Sequence, residues 1–385
     1  MNSPLKDLLR FFVASVLIML AAAALNFTVD PLQIFRASRQ FTAVYSPDSR
    51  LQNAGLIRSQ TFDTLFMGTS LAIHFRQSDI DRILGVKSLK LSMTGSSSRE
   101  QVFVLDAAMA RKPRRVIWEV DDWVFHDTPD IDANTYLPAD LYRGGPKGIA
   151  SYLFSGEMAR VSVWIAAQSI PAFKPILKSL TSETLLKFPI SDVDDINTLQ
   201  AGEDVGARYN AARAMAAYRY ITDPARRKYL LDDTDYDMKV RVFERDAIGL
   251  IKSHPDVTFD IYLPPYSILQ WLALRETSPE TLTSVDEFSA YLCRRLMDFP
   301  NVRLFDFRAI KEVTHDLNNY SDVIHHSPDI DLKVLQWLAQ GKYRVDRARP
   351  TEYLDQLKAQ VEAYRLVSEG QDALTDDFGQ GGASR

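Results

Sequence analysis

Short apolar runs, each followed by a helical pattern, set the rhythm of the first third of the chain. Phe62–Met67 reads as a buried strand, and a helix is predicted over Ser78–Leu84. Val86–Ser92 alternates apolar and basic residues as a second strand. Thr94-Gly95-Ser96-Ser97-Ser98 then turns the chain into a helix through Gln101–Arg111, and Arg115–Val120 makes a third strand around Val116-Ile117-Trp118. Strands that alternate with helices in this way predict a parallel sheet covered on both faces.

The rhythm stops after Phe125. Up to about Leu250 only helical patterns appear, at Ile149–Gln168, Arg208–Tyr220 and Met238–Ile251, which reads as a helical insertion or cap. Strands return at Val257–Leu263 and Val302–Phe307, with helices over Val285–Met297, Leu332–Leu338 and Thr351–Leu366. The fold class is therefore α/β: a three-layer sandwich with a mainly parallel sheet, a helical insertion and an N-terminal transmembrane helix. Residues 61–125 and 255–345 form the core and 126–254 the insertion. A stalk covers 31–60, and 346–385 hold the last helix and a Gly-rich tail from Ser368 onward, expected to be disordered. No internal repeat is present.

The N-terminus, residues 1–30, has its own signature. Lys6 and Arg10 precede an apolar run from Phe11 to Leu25, and Asp30 follows. With Leu8, Leu9, Phe27 and Val29 the run approaches the ~20 residues that cross a bilayer. The basic flank predicts a cytoplasmic start and an extracytoplasmic (periplasmic) domain on the cytoplasmic membrane. Ala21-Ala22-Ala23-Ala24 leaves a cleaved signal as the alternative to an anchor.

Composition narrows the field further. The 385 residues are 46% hydrophobic and 25% charged, enough for one large core. A net charge of −5 without a dense basic run excludes a dedicated nucleic-acid binder. A single cysteine, Cys293, excludes an intramolecular disulfide and reads as a buried structural thiol.

Candidate chemistry gathers at two places. Thr64-Leu65-Phe66-Met67-Gly68-Thr69-Ser70 puts a serine at the carboxyl end of the first strand, where α/β sheets bind ligands and where N–H groups of a following helix can hold an oxyanion. The alternative is a tight turn with Thr69 or Ser70 capping a helix. Far down the chain stands Asp322-x-x-His325, followed by His326. A serine hydroxyl attacks well only when a base takes its proton, and a carboxylate fixes the tautomer of that base. The pair reaches Ser70 if the strand before it lies near the first strand.

These blocks resemble the SGNH, or GDSL-like, hydrolase superfamily. The likeness is to its membrane-anchored envelope branch, with the alginate O-acetyltransferases and the esterase-like protein of teichoic-acid D-alanylation. The resemblance implies an SGNH-hydrolase-like sandwich with Ser70 as nucleophile and its N–H in the oxyanion hole. Leu91-Ser92-Met93-Thr94-Gly95-Ser96 then supplies the Gly95 N–H, and Asp322 and His325 complete a triad. The chain departs from the pattern at the third block. Glu119-Val120-Asp121-Asp122-Trp123 has no asparagine, and an ionised aspartate cannot donate to an oxyanion.

Around this core, His326 competes with His325 as the base. Asp121, Asp122, Tyr266, Ser267 and His326 are candidate substrate contacts, the first two having the alternative of solvated carboxylates paired with Arg99 or Arg76. His74 reads as a helix-face residue. Two histidines with Asp121 or Asp122 are a weak metal pattern, and no metal or cofactor is expected. Asp233-x-Asp235-x-Asp237 with Glu244 imitates a calcium loop, but Met238 stands where such a loop needs glycine, so these acids read as a helix start. The expected function is serine-dependent acyl-ester chemistry, as O-acyl esterase or transferase, on a cell-envelope or exported polysaccharide. The resemblance adds a membrane-bound O-acyltransferase as partner. The alternative is a non-catalytic glycan-binding or assembly subunit on the same fold.

Overall fold

Five short, largely buried strands stack into one sheet covered on both faces. A computed structural model describes residues 3–41, 43–133, 137–168, 194, 205–225 and 235–366. The strands are β1 (Thr64–Met67), β2 (Ser88–Lys90), β3 (Arg115–Glu119), β4 (Thr258–Leu263) and β5 (Val302–Asp306). All neighbours are parallel, in the order β2-β1-β3-β4-β5. This order reverses direction between β1 and β3, and the crevice at the carboxyl ends of such a pair is where open α/β sheets take ligands. The loop that leaves β1 at that crevice carries Ser70, and the loop that leaves β3 carries Asp121 and Asp122.

Alternation along each strand sorts the two faces. Leu65, Met67, Val116, Trp118, Phe259, Ile261 and Leu304 pack with Val104 and Leu105 of helix α4 (Ser98–Met109) and with Val242, Phe243, Ile248 and Ile251. Phe66, Ile117, Tyr262 and Phe305 lie on the other face, under Ile80 of helix α3 (Gln77–Leu84) and Val334, Leu335 and Leu338 of the helix Pro328–Gln340. The result is three layers around a parallel sheet. Ser97 starts α4 with a reciprocal capping box to Glu100, which explains the sharp turn after β2.

Two expected boundaries move. The expected stalk is folded: Asp48 accepts N–H bonds from Arg50 and Leu51 to open helix α2 (Ser49–Ser59), which buries Leu56 and Ile57 in the core. Asn53 Nδ2 donates to Leu91 O at 3.1 Å, tying α2 to the end of β2. The C-terminal part of the expected insertion is also core. Tyr236–Ser253 runs as one helical path with a π-turn at Glu244–Ile248 and covers the sheet ahead of β4. A crossover helix and an inserted helix look alike in sequence because both lack strands. Farther forward, the helix expected at Ile149–Gln168 is two, Pro146–Leu153 and Gly156–Gln168. The tail from Ser368 and the acidic residue Asp233 lie outside the described residues. Asp235 caps its helix by accepting from Met238 N at 2.8 Å, and Glu244 is paired with Arg295.

The N-terminal helix α1 (Ser3–Val29) has 27 residues, roughly 40 Å at 1.5 Å per residue. It is long and apolar enough to cross a membrane. Phe11 and Ile18 are 72% and 70% exposed, whereas Asn26 near its end is fully buried. Asn26 Nδ2 donates to Leu153 O at 2.8 Å and its Oδ1 accepts from Ser162 Oγ at 2.8 Å. The chain then bends at Asp30, whose carboxylate accepts three N–H bonds from Ile34, Phe35 and Arg36. The end of α1 is thereby built into the folded domain.

Gly55 marks the closest approach. A Cβ there would lie 1.7 Å from Leu32 O, a backbone atom that cannot swing aside. Gly55→Ala is expected to destabilise the protein by about 1–3 kcal/mol through overpacking, read as a lower thermal midpoint; an unchanged midpoint contradicts this packing.

Candidate active site

The turn that carries Ser70 is short because β1 ends against the Glu119 side chain. After Met67 the chain passes through Gly68, where a Cβ would sit 2.6 Å from Glu119 Oε2 and 2.5 Å from the Ala72 Cβ. Only glycine fits. Ser70 then opens a single 3-10 turn, Ser70–Ala72, with no side-chain cap from Thr69. Lys90 Nζ donates to Ile73 O and Phe75 O, at 3.0 and 2.7 Å, in the stretch between this turn and α3, which lies where a helix is expected. Any N–H assistance at Ser70 is therefore local and not that of a long helix dipole.

β5 does not lie near β1; β3 and β4 stand between them, roughly 14 Å by ordinary strand spacing. The expected adjacency is replaced by a loop that crosses back over the carboxyl edge. Ser267, at the end of the β4 loop, holds it by donating to Val323 O from both its N–H (3.2 Å) and its Oγ (2.8 Å). Tyr320 adds its hydroxyl to Pro265 O at 2.6 Å, and Asn210 N donates to Tyr320 O at 3.1 Å. Within the loop, Asp322 Oδ1 accepts the N–H of Ile324 and of His325, each at 2.8 Å, a local turn that aims the imidazole.

The outcome is a continuous contact chain. Ser70 Oγ lies 2.9 Å from His325 Nε2, and His325 Nδ1 lies 2.6 Å from Asp322 Oδ2. Asp322 is partly buried. Burial works against its charge, but hydrogen bonding from His325, the charge of that ring and two N–H groups hold its carboxyl below the ordinary range. A carboxylate so held fixes the tautomer with the proton on Nδ1 and leaves Nε2 free to accept from Ser70. Among the described residues, the backbone N–H groups of Ser70 and Gly95 donate to no protein acceptor. Gly95 sits at φ +59°, and the Met93 N–H bond to Gly68 O (2.9 Å) lays its loop beside the nucleophile turn.

Four of the candidate substrate contacts prove to be internal. His326 is buried with Nδ1 3.1 Å from Asp331 Oδ1, so it does not compete for Ser70. Ser267 is fully buried as the clamp on Val323. Tyr266 is buried and its hydroxyl donates to Asp121, which is itself buried. Asp122 remains partly exposed and meets Lys239 Nζ at 3.2 Å. Neither aspartate pairs with Arg99 or Arg76, which instead reach Asp130 and Asp194. The Cys293 thiol is buried and pushed up to about 12 by that burial. Among the described residues no three metal-ligating side chains are grouped to hold an ion.

Sequence reading missed Glu119. A carboxylate closing the apolar run Val116-Ile117-Trp118 was the signal, since a charge at the end of a buried strand needs a reason. Its Oε2 accepts the Thr69 N–H at 2.7 Å and so braces the turn that carries Ser70.

No protein-family model matches the chain, and no curated protein matches it by sequence.

His74 sits four residues past Ser70 with Nε2 3.2 Å from the Tyr209 hydroxyl. Burial, then the charges of Arg208, His326, Lys90 and His325, lower its pKa to about 4. Its folded value lies below the unfolded one near 6.5. The stability tied to the neutral ring is therefore complete above pH 6.5 and lost as pH falls toward 4. Allowing for partial exposure, the wild type should lose about 2 kcal/mol more than His74→Gln between pH 7 and 4. Denaturant melts at several pH values check this, and parallel curves contradict it.

Proposed function

We propose that the protein is a membrane-anchored serine esterase or O-acyltransferase acting on acylated sugars of a cell-envelope or exported polysaccharide. The observation that carries this reading is the unbroken Ser70–His325–Asp322 contact chain, assembled from segments more than 250 residues apart. The short motifs that resemble SGNH hydrolases favour the same chemistry, as does the crevice position of Ser70 between β1 and β3.

In this mechanism Ser70 Oγ attacks an ester carbonyl while His325 Nε2 takes its proton. The Ser70 and Gly95 N–H groups receive the oxyanion, two preorganised donors in place of water. His325 returns the proton to the leaving alcohol as the tetrahedral species collapses to an acyl-Ser70. Water or a sugar hydroxyl then enters, deprotonated by His325, and the second collapse frees Ser70. Asp322 stays ionised throughout and stabilises the imidazolium.

Helix α1 serves as an uncleaved single-pass anchor, because its last turns are packed into the domain through Asn26. Lys6 and Arg10 lie on the cytoplasmic side by the positive-inside rule, which puts the domain in the periplasm. A membrane-bound O-acyltransferase that delivers acyl groups across the membrane is the matching partner for the transferase form.

The full chain in detergent is expected to react covalently with a fluorophosphonate probe at Ser70. Ser70→Ala should abolish labelling, and Asp322→Asn should slow it by about 10³–10⁴-fold through the wrong imidazole tautomer. A folded wild type that resists the probe but retains polysaccharide on a column is a glycan-binding or assembly subunit instead.

A further inference from the structure

We propose that Glu119 and Asp121 act as one proton-sharing pair that positions the nucleophile turn, occupying the strand end where a third oxyanion donor is expected. The inference rests on the esterase reading above and adds positioning residues to it.

Both carboxyl groups are buried and converge on one residue. Thr69 Oγ1 lies 3.1 Å from Glu119 Oε2 and 3.0 Å from Asp121 Oδ2. One hydroxyl hydrogen serves only one of these oxygens, so the other contact needs a proton on the carboxyl pair. Glu119 Oε2 also takes the Thr69 N–H at 2.7 Å, while Asp121 Oδ1 takes the Tyr266 hydroxyl. Glu119 Oε1 is buried without a hydrogen-bond partner among the described residues, a placement that an ionised carboxylate tolerates poorly. Burial first, then the charge of Asp121, holds Glu119 well above the carboxylate range. A single proton shared by the pair satisfies the two contacts to Thr69 Oγ1.

The contacts of Glu119 run to the turn, and those of Asp121 join the turn to Tyr266 of the β4 loop. Asp121 has both oxygens engaged and is 1% exposed, so it cannot donate to an oxyanion. Glu119 fills the space that forces glycine at Gly68 and grips the amide immediately before Ser70. Loss of this grip frees Thr69, and with it the direction of the Ser70 N–H and Oγ. Displacements of about 1 Å at a reacting group cost on the order of 100-fold in rate.

Hydrolysis of p-nitrophenyl acetate by the full chain tests the pair. Glu119→Gln keeps an acceptor for the Thr69 N–H and a donor for Asp121, and should retain kcat within about threefold. Glu119→Ala should lower kcat by about 100-fold with KM little changed. Thr69→Val, which removes the bridging hydroxyl at nearly constant volume, should lower kcat by about tenfold and carries the test should Glu119→Ala not fold. Wild-type kcat in a folded Glu119→Ala or Thr69→Val, or loss in Glu119→Gln equal to that in Glu119→Ala, overturns the pair. A wild type with no Ser70-dependent hydrolysis at all overturns the esterase reading instead, so the two failures are distinct.

Discussion

A loop that must travel back across the whole sheet decides whether this molecule has a reactive centre. β5 ends at one edge and Ser70 follows β1, three strand positions away with β3 and β4 between. The returning segment cannot rest on sheet pairing, since no strand edge lies along its path. It is held by Ser267 on Val323 and Tyr320 on Pro265, both buried contacts to the β4 loop. A buried hydrogen bond contributes about 1 kcal/mol net, but an orphaned partner costs more. Those clamps therefore set the position of His325 to within a hydrogen bond's length of Ser70.

The same economy appears below the site. Glu119, Tyr262, His326 and Asp331 are all buried on or against one face of the sheet, where a purely apolar core would be simpler. Asp331 is pushed up to about 6 by burial, with His326 pulling the other way. Such groups are poor stabilisers by themselves. Of these, Glu119 reaches the Gly68-Thr69-Ser70 turn, through the Thr69 N–H, where a polar contact fixes direction as apolar packing cannot.

Much of the architecture was legible in the chain. The five strands lie where the chain predicted them, four from apolar runs that a parallel sheet buried on both faces leaves in sequence and β2 from its alternation. Ser70, Asp322 and His325 were legible as residues with chemistry to offer, and their meeting was expected from the resemblance; the route by which they meet was not, since strand order is set by long-range packing. Helix α2 escaped notice because its stripe is interrupted by Gln52 and Asn53, both buried for their hydrogen bonds and not for hydrophobicity. Tyr266, Ser267 and His326 looked like site residues for a related reason: a polar residue in a loop reads the same whether it faces a substrate or props up another loop.

The most direct test of the account is an experimental structure of the full chain after reaction with a fluorophosphonate. The account predicts phosphorus bonded to Ser70 Oγ, its oxygen accepting from the Ser70 and Gly95 N–H groups, and His325 still joined to Asp322 beside the adduct. An adduct on another residue, or a returning loop that leaves His325 out of reach of Ser70, contradicts it.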